Sequence, residues 1–370
     1  MKKNILDVST LNLYSSGAKQ RFLSLYSELI KSNKKKNFTI IYTSFEKVKI
    51  FLNYPNVTFK KNFIFQDSLF KKILSILNIF FYTKKNSKKI ESIEHFTLPF
   101  IKISNCKNIF TIHDLRRIYF SNFFLKKILL KYFFKFYVNK ADKIIVVSKA
   151  IKKEMQSYFG NLKISVIYNT INTQDYKKIK LKDIQMIKKK YNLNNKFILA
   201  VGHLEKRKNY LRLIKSINIL NKDKYNTKLI IIGQKANETI QINKIIKKLK
   251  LSSNVKVFSN LTDYEVGCFY KLTSLFVFPS IYEGFGIPIL EAMASNKPMV
   301  LSNLEVFKEI TENNYTYFDP YDPLSIANNI KFVLKNKDIQ KKMIKYGRMR
   351  VKYFSVFNQK IKLNNLYNNL

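Results

Sequence analysis

The chemistry of this chain is concentrated in FPSIYEGFGIPILEAMASNKPMVLSN, residues Phe278 to Asn303. An apolar run that ends at Phe278 is followed by a turn containing Gly284 and Gly286, and Pro288 stands where a helix would begin. Glycines let the backbone approach a ligand closely, and the free N–H groups of a helix start point at its negative or hydroxyl-rich parts. Two carboxylates, Glu283 and Glu291, frame the turn eight residues apart. Carboxylates are poor phosphate partners and good bidentate acceptors from sugar hydroxyls. A turn that receives anions beside acids that receive polyols suits a nucleotide sugar. The plainer alternative is a strand, a turn and a helix with two solvent-facing glutamates.

The segment resembles the retaining glycosyltransferases of family 4, whose hallmark is a Glu, seven residues and a second Glu within PS-x-x-EGFG-x-P-x-x-EAMA. The resemblance implies that Glu291 holds the ribose hydroxyls of the donor and that Glu283 lies by the transferred sugar. It also implies that the backbone at Gly284, Phe285, Gly286 and Ile287 meets that sugar and its diphosphate. A second stretch, VGHLEKRKNYLRLI (Val201–Ile214), is similar to the family's segment after the first strand of the C-terminal domain. That similarity places Gly202 at the donor and makes Arg207 and Lys208 the cations that neutralise the diphosphate. A leaving group of about two negative charges needs such cations because these enzymes lack a metal held by an Asp-x-Asp motif. Many members carry Arg where this chain has His203.

In the N-terminal half, TIHDL (Thr111–Leu115) sits at the end of an apolar run. The family often has a His there, beside the donor sugar and the acceptor, which puts His113 in the catalytic set and on the acceptor side. Asp114 either orients the imidazole or caps a turn. The glycine-rich loop that approaches the diphosphate in the family is reduced here to SSGAKQ, with Gly17 alone. Weaker echoes are ADKIIVVSKAIKKEM (Ala141–Met155), VIYNTIN (Val166–Asn172, with Thr170 where Gly is common) and YFDPYDPLSIANNI (Tyr317–Ile330). In the last of these, Asp319 and Asp322 read as turn and cap residues.

The elements that must hold these residues alternate short β-rich runs with helical patterns, the mark of parallel α/β architecture. Strands are expected at Asn4–Val8, Phe38–Thr43, Ile93–Phe96, Asn108–His113, Lys143–Val147 and Ile164–Ile167. A second set follows at Phe197–Val201, Lys228–Ile232, Val255–Phe258, Leu275–Phe278 and Pro298–Leu301. The expected fold class is α/β of the GT-B kind: two Rossmann-like, doubly wound parallel-sheet domains facing each other across a cleft. Residues 1–172 form the N-terminal, acceptor-binding domain and 173–195 a lysine-rich linker. Residues 196–350 form the C-terminal, nucleotide-sugar-binding domain, and 351–370 a helix returning towards the N-terminal domain.

The chain has 370 residues, 46% of them hydrophobic, which excludes a disordered polymer and suits two domains of ordinary size. Its two cysteines, Cys106 and Cys268, have no metal-ligand spacing and read as small buried hydrophobes. No metal and no cofactor are expected, the nucleotide sugar being a substrate. The formal net charge of +44 would ordinarily suggest nucleic acid. Here it is nearly all lysine, accompanied by abundant Asn and Ile and spread over both halves of the chain. No specific nucleic-acid partner is therefore expected, whereas diffuse attraction to an anionic membrane surface is.

No run reaches the roughly 18 apolar residues of a membrane span, and MKKNILDVST does not develop an apolar signal region. The expected location is the cytoplasm, peripheral on the inner face of its membrane. Two segments bear on that contact. Phe123–Val138 is a helix with Lys127, Lys131 and Lys135 on one face, and its apolar remainder is expected to be core. Leu69–Lys89 ends in Lys84, Lys85, Lys88 and Lys89, a layout that suits an acyl boundary with lysines at the lipid phosphates.

The expected activity is transfer of a hexose from a nucleoside-diphosphate sugar to a glycan or lipid-linked glycan, with anomeric configuration retained, in cell-surface polysaccharide assembly such as lipopolysaccharide or capsule. The alternatives are a basic membrane- or nucleic-acid-binding protein without catalysis, or a sugar-nucleotide epimerase of the same fold.

Overall fold

The computed structural model describes residues 2–9, 17–44, 46, 48–62, 69–96, 102, 105–120, 124–193 and 196–369. The chain divides into two compact units, Met1–Thr170 together with Val356–Leu370, and Ile171–Ser355.

Among the described residues the first unit is built on seven strands: β1 (Lys3–Asp7), β2 (Asn37–Tyr42), β3 (Val57–Lys61), β4 (Ile90–His95), β5 (Lys107–Ile112), β6 (Lys143–Val146) and β7 (Ile164–Val166). Their order is β3-β2-β1-β4-β5-β6-β7, all parallel. Its helices are α1 (Gly17–Arg21), α2 (Ser27–Ser32), α3 (Leu69–Lys85), α4 (Arg116–Tyr119), α5 (Phe124–Val138) and α6 (Lys149–Phe159), and α16 (Val356–Asn368) joins them from the far end of the chain.

The strands away from the β3 edge are mostly buried because a parallel sheet is covered on both faces. Leu6, Ile40 and Ile109 pack on one side against Phe22, Leu25, Tyr26 and Leu363. Ile5 and Ile93, one residue out of step, meet Ile79 of α3 on the other. Ile93 is in register with Asn108, so Phe110, two residues on, lies on that same face, where it packs with Phe134 and Val138 of α5. Helices α3 and α5 therefore cover one face of the sheet.

Among its described residues the second unit has six strands: β8 (Ile198–Val201), β9 (Leu229–Ile232), β10 (Val255–Phe258), β11 (Leu275–Phe278), β12 (Met299–Ser302) and β13 (Thr316–Phe318). They are parallel in the order β10-β9-β8-β11-β12-β13. Its helices are α7 (Thr173–Lys177), α8 (Leu181–Lys190), α9 (Tyr210–Lys222), α10 (Thr239–Lys248), α11 (Asp263–Leu272), α12 (Ile287–Ala294), α13 (Glu305–Thr311), α14 (Pro323–Lys335) and α15 (Lys337–Tyr353). Strand order reverses between β8 and β11, and doubly wound sheets bind ligands beyond the carboxyl ends of their strands at such a point.

Every expected strand is present to within a few residues. Two further strands, β3 and β13, lie at sheet edges. One interleaves polar residues and the other is three residues long, so neither carries a continuous apolar run. The segment 173–195 is not a plain linker. Asn172 caps α7 by accepting from the Gln174 N–H at 3.2 Å, and Asp183 accepts from the Lys180 N–H at 3.0 Å to start α8. Lysines on the outer face of α8 hide a helical pattern whose inward residues include the buried Ile187. Asp319 and Asp322 act as turn and cap residues: Asp322 accepts from the N–H groups of Leu324 and Ser325 at the start of α14. Of SSGAKQ, Ser15 and Ser16 lie outside the described residues, and Gly17 opens α1.

Candidate active site

Strand β11 is fully buried, and at its carboxyl end the chain turns through Ser280–Gly286 into α12. Gly286 has φ +131°, in the region that favours glycine, and a Cβ there would come within 3.1 Å of the Phe307 ring and 3.2 Å of Ile289. The buried side chain of Phe285 packs against Phe354, with ring centroids 5.8 Å apart. The backbone of the turn is thus fixed by packing before any ligand arrives.

Glu283 projects from this turn into a cluster of charges. Its Oε1 lies 2.8 Å from Arg207 Nη1 and 2.6 Å from Lys208 Nζ, and it accepts a hydrogen bond from Ser280 Oγ at 2.8 Å. The Glu283 side chain is 10% exposed and that of Lys208 is 7% exposed. Arg207 is also paired through Nε with Glu205 at 2.8 Å, and its carbonyl accepts from the Ile281 N–H. His203 Nδ1 stands 3.5 Å from the same Glu205.

The basic pair is positioned by local structure. Residues Lys206–Lys208 make one tight turn ended by Asn209, which is left-handed (φ 61°) and donates to the carbonyls of Pro279 and Pro320. Lys208 then runs under Gly202 at the end of β8, where a Cβ would come within 2.8 Å of Lys208 Cε. A Cβ on Gly233, at the end of β9, would fall 1.8 Å from the Gly202 carbonyl oxygen. These glycines allow the close packing that brings the ammonium to Glu283.

Burial works to raise the Glu283 carboxyl, but the Arg207 and Lys208 cations overcome it and hold the group down to about 2. Burial lowers Lys208, opposed by Glu283. With Glu283 ionised between two cations the contact is an ion pair, and an incoming phosphate would find both cations already aimed at one point.

Glu291, in the second turn of α12, belongs to a different environment. Tyr270 of α11, fully buried, donates to its Oε2 at 2.9 Å, and the Tyr176 hydroxyl of α7 acts on the same carboxyl. Burial raises Glu291, and the two tyrosines favour its ionised form. The structure thus gathers Arg207, Lys208, Gly202 and Glu283 at the β8 and β11 ends, with Glu291 further along the helix that follows.

His113 and Asp114 belong to the first unit, just past β5. The His113 ring is half-buried while its Nε2 is shut away from solvent and has no hydrogen-bond partner. Burial, then the charges of Arg21 and Arg116, pushes it down to about 3, so the imidazole is neutral. Asp114 accepts from the backbone N–H of Arg116 at 3.1 Å, the turn-capping role.

Sequence reasoning missed Glu205, Ser280, Tyr176 and Tyr270. Glu205 and Ser280 lie within recognised motifs, whereas one tyrosine among 23 carries no spacing signal. Cys268 is buried and Cys106 half-buried, and burial pushes both thiols up to about 11, away from thiolate chemistry. Among the described residues no group of three or more His, Cys, Asp or Glu side chains could hold a metal ion.

The family model described as Glycosyl transferases group 1 matches residues 182–350, and that described as Glycosyltransferase Family 4 matches residues 93–175. The O-antigen chain mannosyltransferase RfbU of Salmonella typhimurium is 31% identical over 250 residues, 67% of this chain and 65% of that protein. The capsular polysaccharide biosynthesis glycosyltransferase CapM of Staphylococcus aureus is 29% identical over 236 residues, 60% of this chain and 61% of that one. The matched part is thus less than two thirds of each of these relatives. Among solved structures, a glycosyltransferase from Rickettsia africae superposes with TM-score 0.77 at 19% identity, covering 100% of this chain and 98% of that one. HepE of Anabaena in complex with UDP-glucose superposes with TM-score 0.79 at 15% identity, covering 100% of both chains.

Proposed function

Because the chain belongs to the group 1 glycosyltransferases and has their GT-B fold of two parallel α/β domains, we propose that it transfers a hexose from a nucleoside-diphosphate sugar to a glycan or lipid-linked glycan. We infer further that it does so with retention, without a metal, in the assembly of a cell-surface polysaccharide. The activities of RfbU and CapM, printed in their names, support that reading, and RfbU's makes mannose the first sugar to test.

The observation that carries the proposal is the meeting of Arg207, Lys208 and Glu283 beside the turn that opens α12. In the proposed reaction the sugar–phosphate bond breaks and about two negative charges develop on the departing diphosphate. Arg207 and Lys208, already oriented and largely shielded from water, stabilise that charge with little reorganisation. N–H groups around Gly286 and Ile287 add donors. The acceptor hydroxyl attacks from the face the diphosphate leaves, giving its proton to that diphosphate as an oxocarbenium-like species forms. Glu283 exchanges cations for a sugar hydroxyl, and Glu291 accepts the ribose hydroxyls. His113, held neutral, stands on the acceptor side.

We also place the protein in the cytoplasm, against the membrane. No described helix is long and apolar enough to cross a bilayer. Helix α5 does not bury its whole apolar remainder, contrary to the expectation from sequence. Phe134 and Val138 face the core, while Leu125, Leu129, Tyr132, Phe133 and Phe136 are exposed, with Tyr132 at 69%. On the same sheet face, α3 exposes Leu74, Leu77 and Phe81 ahead of Lys84 and Lys85. Each such side chain left in water forgoes about 1.5–3 kcal/mol. Lys127, Lys131 and Lys135 are also exposed on α5, Lys131 lying over the Tyr158 ring of α6, and no acidic residue lies between Leu115 and Ala141. Apolar and aromatic groups bordered by lysines suit the headgroup boundary of an anionic membrane, where a lipid-linked acceptor would be met.

The proposal is tested by incubating the protein with UDP-, GDP-, dTDP- and CMP-sugars and a lipid extract, then following label into the lipid-linked fraction. Transfer from one donor supports it. Label that never leaves the nucleotide with any donor, in the presence of competent acceptor lipids, overturns it.

A further inference from the structure

Tyr270 lies on α11, is fully buried, and donates its phenol proton to Glu291 Oε2 at 2.9 Å. Its role is to be compared with that of Tyr176, which comes from α7, a helix outside the β–α repeat of the second sheet. The Tyr176 hydroxyl acts on the same carboxyl and favours its charged form. The segment lies against Gly267 of α11: a Cβ there would come within 2.8 Å of Ile179 Cδ1, the tip of a flexible side chain, and 3.9 Å of Tyr176 Cε1. The other charged groups acting on Glu291 are Asp263 and Lys208.

We propose that Tyr270 and Tyr176 are positioning residues that fix the plane of the Glu291 carboxylate and thereby set the preference for ribose over 2′-deoxyribose in the donor nucleotide. This rests on Glu291 being the ribose acceptor. An ionised carboxylate has about four acceptor sites. Tyr270 engages Oε2 and the Tyr176 hydroxyl favours the same ionised group, which leaves acceptor sites for the two donors of a vicinal diol. A carboxylate without these anchors rotates freely and accepts one hydroxyl as well as two, so the advantage of the 2′-hydroxyl shrinks. A buried polar group built to receive a hydroxyl is also what rejects the analogue lacking it.

The test is calorimetric titration of UDP, 2′-deoxy-UDP, GDP and 2′-deoxy-GDP into the wild type and the variants Tyr270→Phe, Tyr176→Phe and Glu291→Gln, with thermal unfolding of each variant alongside. The expected result is that each Phe variant lowers the ribose-to-deoxyribose affinity ratio by about five- to tenfold, through weaker ribonucleotide binding with deoxynucleotide binding unchanged, and that Glu291→Gln lowers it at least as far. If Glu291→Gln collapses the ratio and both Phe variants keep it, the positioning role is wrong and the ribose reading stands. If Glu291→Gln leaves the ratio intact, or the wild type shows no ribose preference, both fall. Equal losses for ribo- and deoxynucleotides in the Phe variants assign the tyrosines a purely structural role and overturn the proposal. Tyr176 is only half-buried, so its variant remains readable if Tyr270→Phe unfolds.

Discussion

Lys208 holds its ammonium 2.6 Å from the carboxylate of Glu283 and 4.7 Å from the centre of the Phe278 ring, in a setting where neither charge has much water. The cations assigned to the donor diphosphate are thus held by an internal anion. In the proposed donor site, a bound diphosphate would exchange one anionic partner for another, and Glu283 would be both an organiser of the site and a competitor for it.

That exchange gives the first prediction. Glu283→Gln removes the competitor and leaves two buried cations under-compensated, which a ligand phosphate then relieves. Nucleoside-diphosphate affinity should rise, by about three- to tenfold, while transfer falls because the sugar loses its positioning group. Calorimetry and turnover on the same preparation check this, and a variant that binds the diphosphate more weakly than wild type contradicts it.

A second prediction concerns the cations themselves. Lys208→Ala should lower kcat by roughly 10²–10³, the usual effect of removing one preorganised stabiliser of developing charge, and should leave affinity for the uncharged nucleoside nearly unchanged. Arg207→Ala should act in the same direction and to a lesser degree, because Arg207 divides its contacts between Glu205 and Glu283. Equal losses for nucleoside and nucleotide would indicate damage to the fold instead.

The third is a pH dependence. Glu283 is held at about 2 in the folded chain, against roughly 4.3 for a free glutamate. A depressed carboxyl contributes stability that is present above the unfolded value and is lost as pH falls towards the folded one. Urea unfolding of the wild type should therefore lose roughly 1.5–2 kcal/mol from this group between pH 5 and pH 3. Glu283→Gln should show a correspondingly shallower decline. Parallel slopes for the two proteins would mean that the ion pair does not hold Glu283 ionised.

The fourth addresses the membrane. Replacing Leu129 and Phe133 on α5 with serine, or neutralising Lys84, Lys85, Lys88 and Lys89, should weaken co-sedimentation with anionic vesicles and leave nucleotide binding as it was. Binding by the wild type should fall as salt screens the lysines. Retention of wild-type vesicle binding in both variants would place the contact elsewhere.

Much of this architecture is legible in the sequence because parallel strands buried on both faces are continuous apolar runs, and β10 and β11 are found at their expected bounds. The motif around Glu283 was equally visible, since a glycine with positive φ, a helix-starting proline and spaced carboxylates leave a local signature. What escaped was non-local or masked by lysine. Tyr176 reaches Glu291 across more than a hundred residues, and α8 hides its inward Ile187 among charges. The outward stripe of α5 escaped for another reason: periodicity shows that Leu129 and Phe134 lie on different faces, but only packing shows which face meets the sheet.

The central claim is that the second unit holds a nucleoside diphosphate with Glu291 on its ribose. It is tested most directly by thermal unfolding of the wild type and Glu291→Ala with UDP, GDP, dTDP and CMP. The wild type should be stabilised by at least one nucleoside diphosphate, by about 2.7 kcal/mol when the ligand is a hundredfold above its Kd. Glu291→Ala should fold and lose most of that stabilisation. A wild type indifferent to every nucleotide, or a Glu291→Ala variant stabilised as strongly as its parent, would contradict the account.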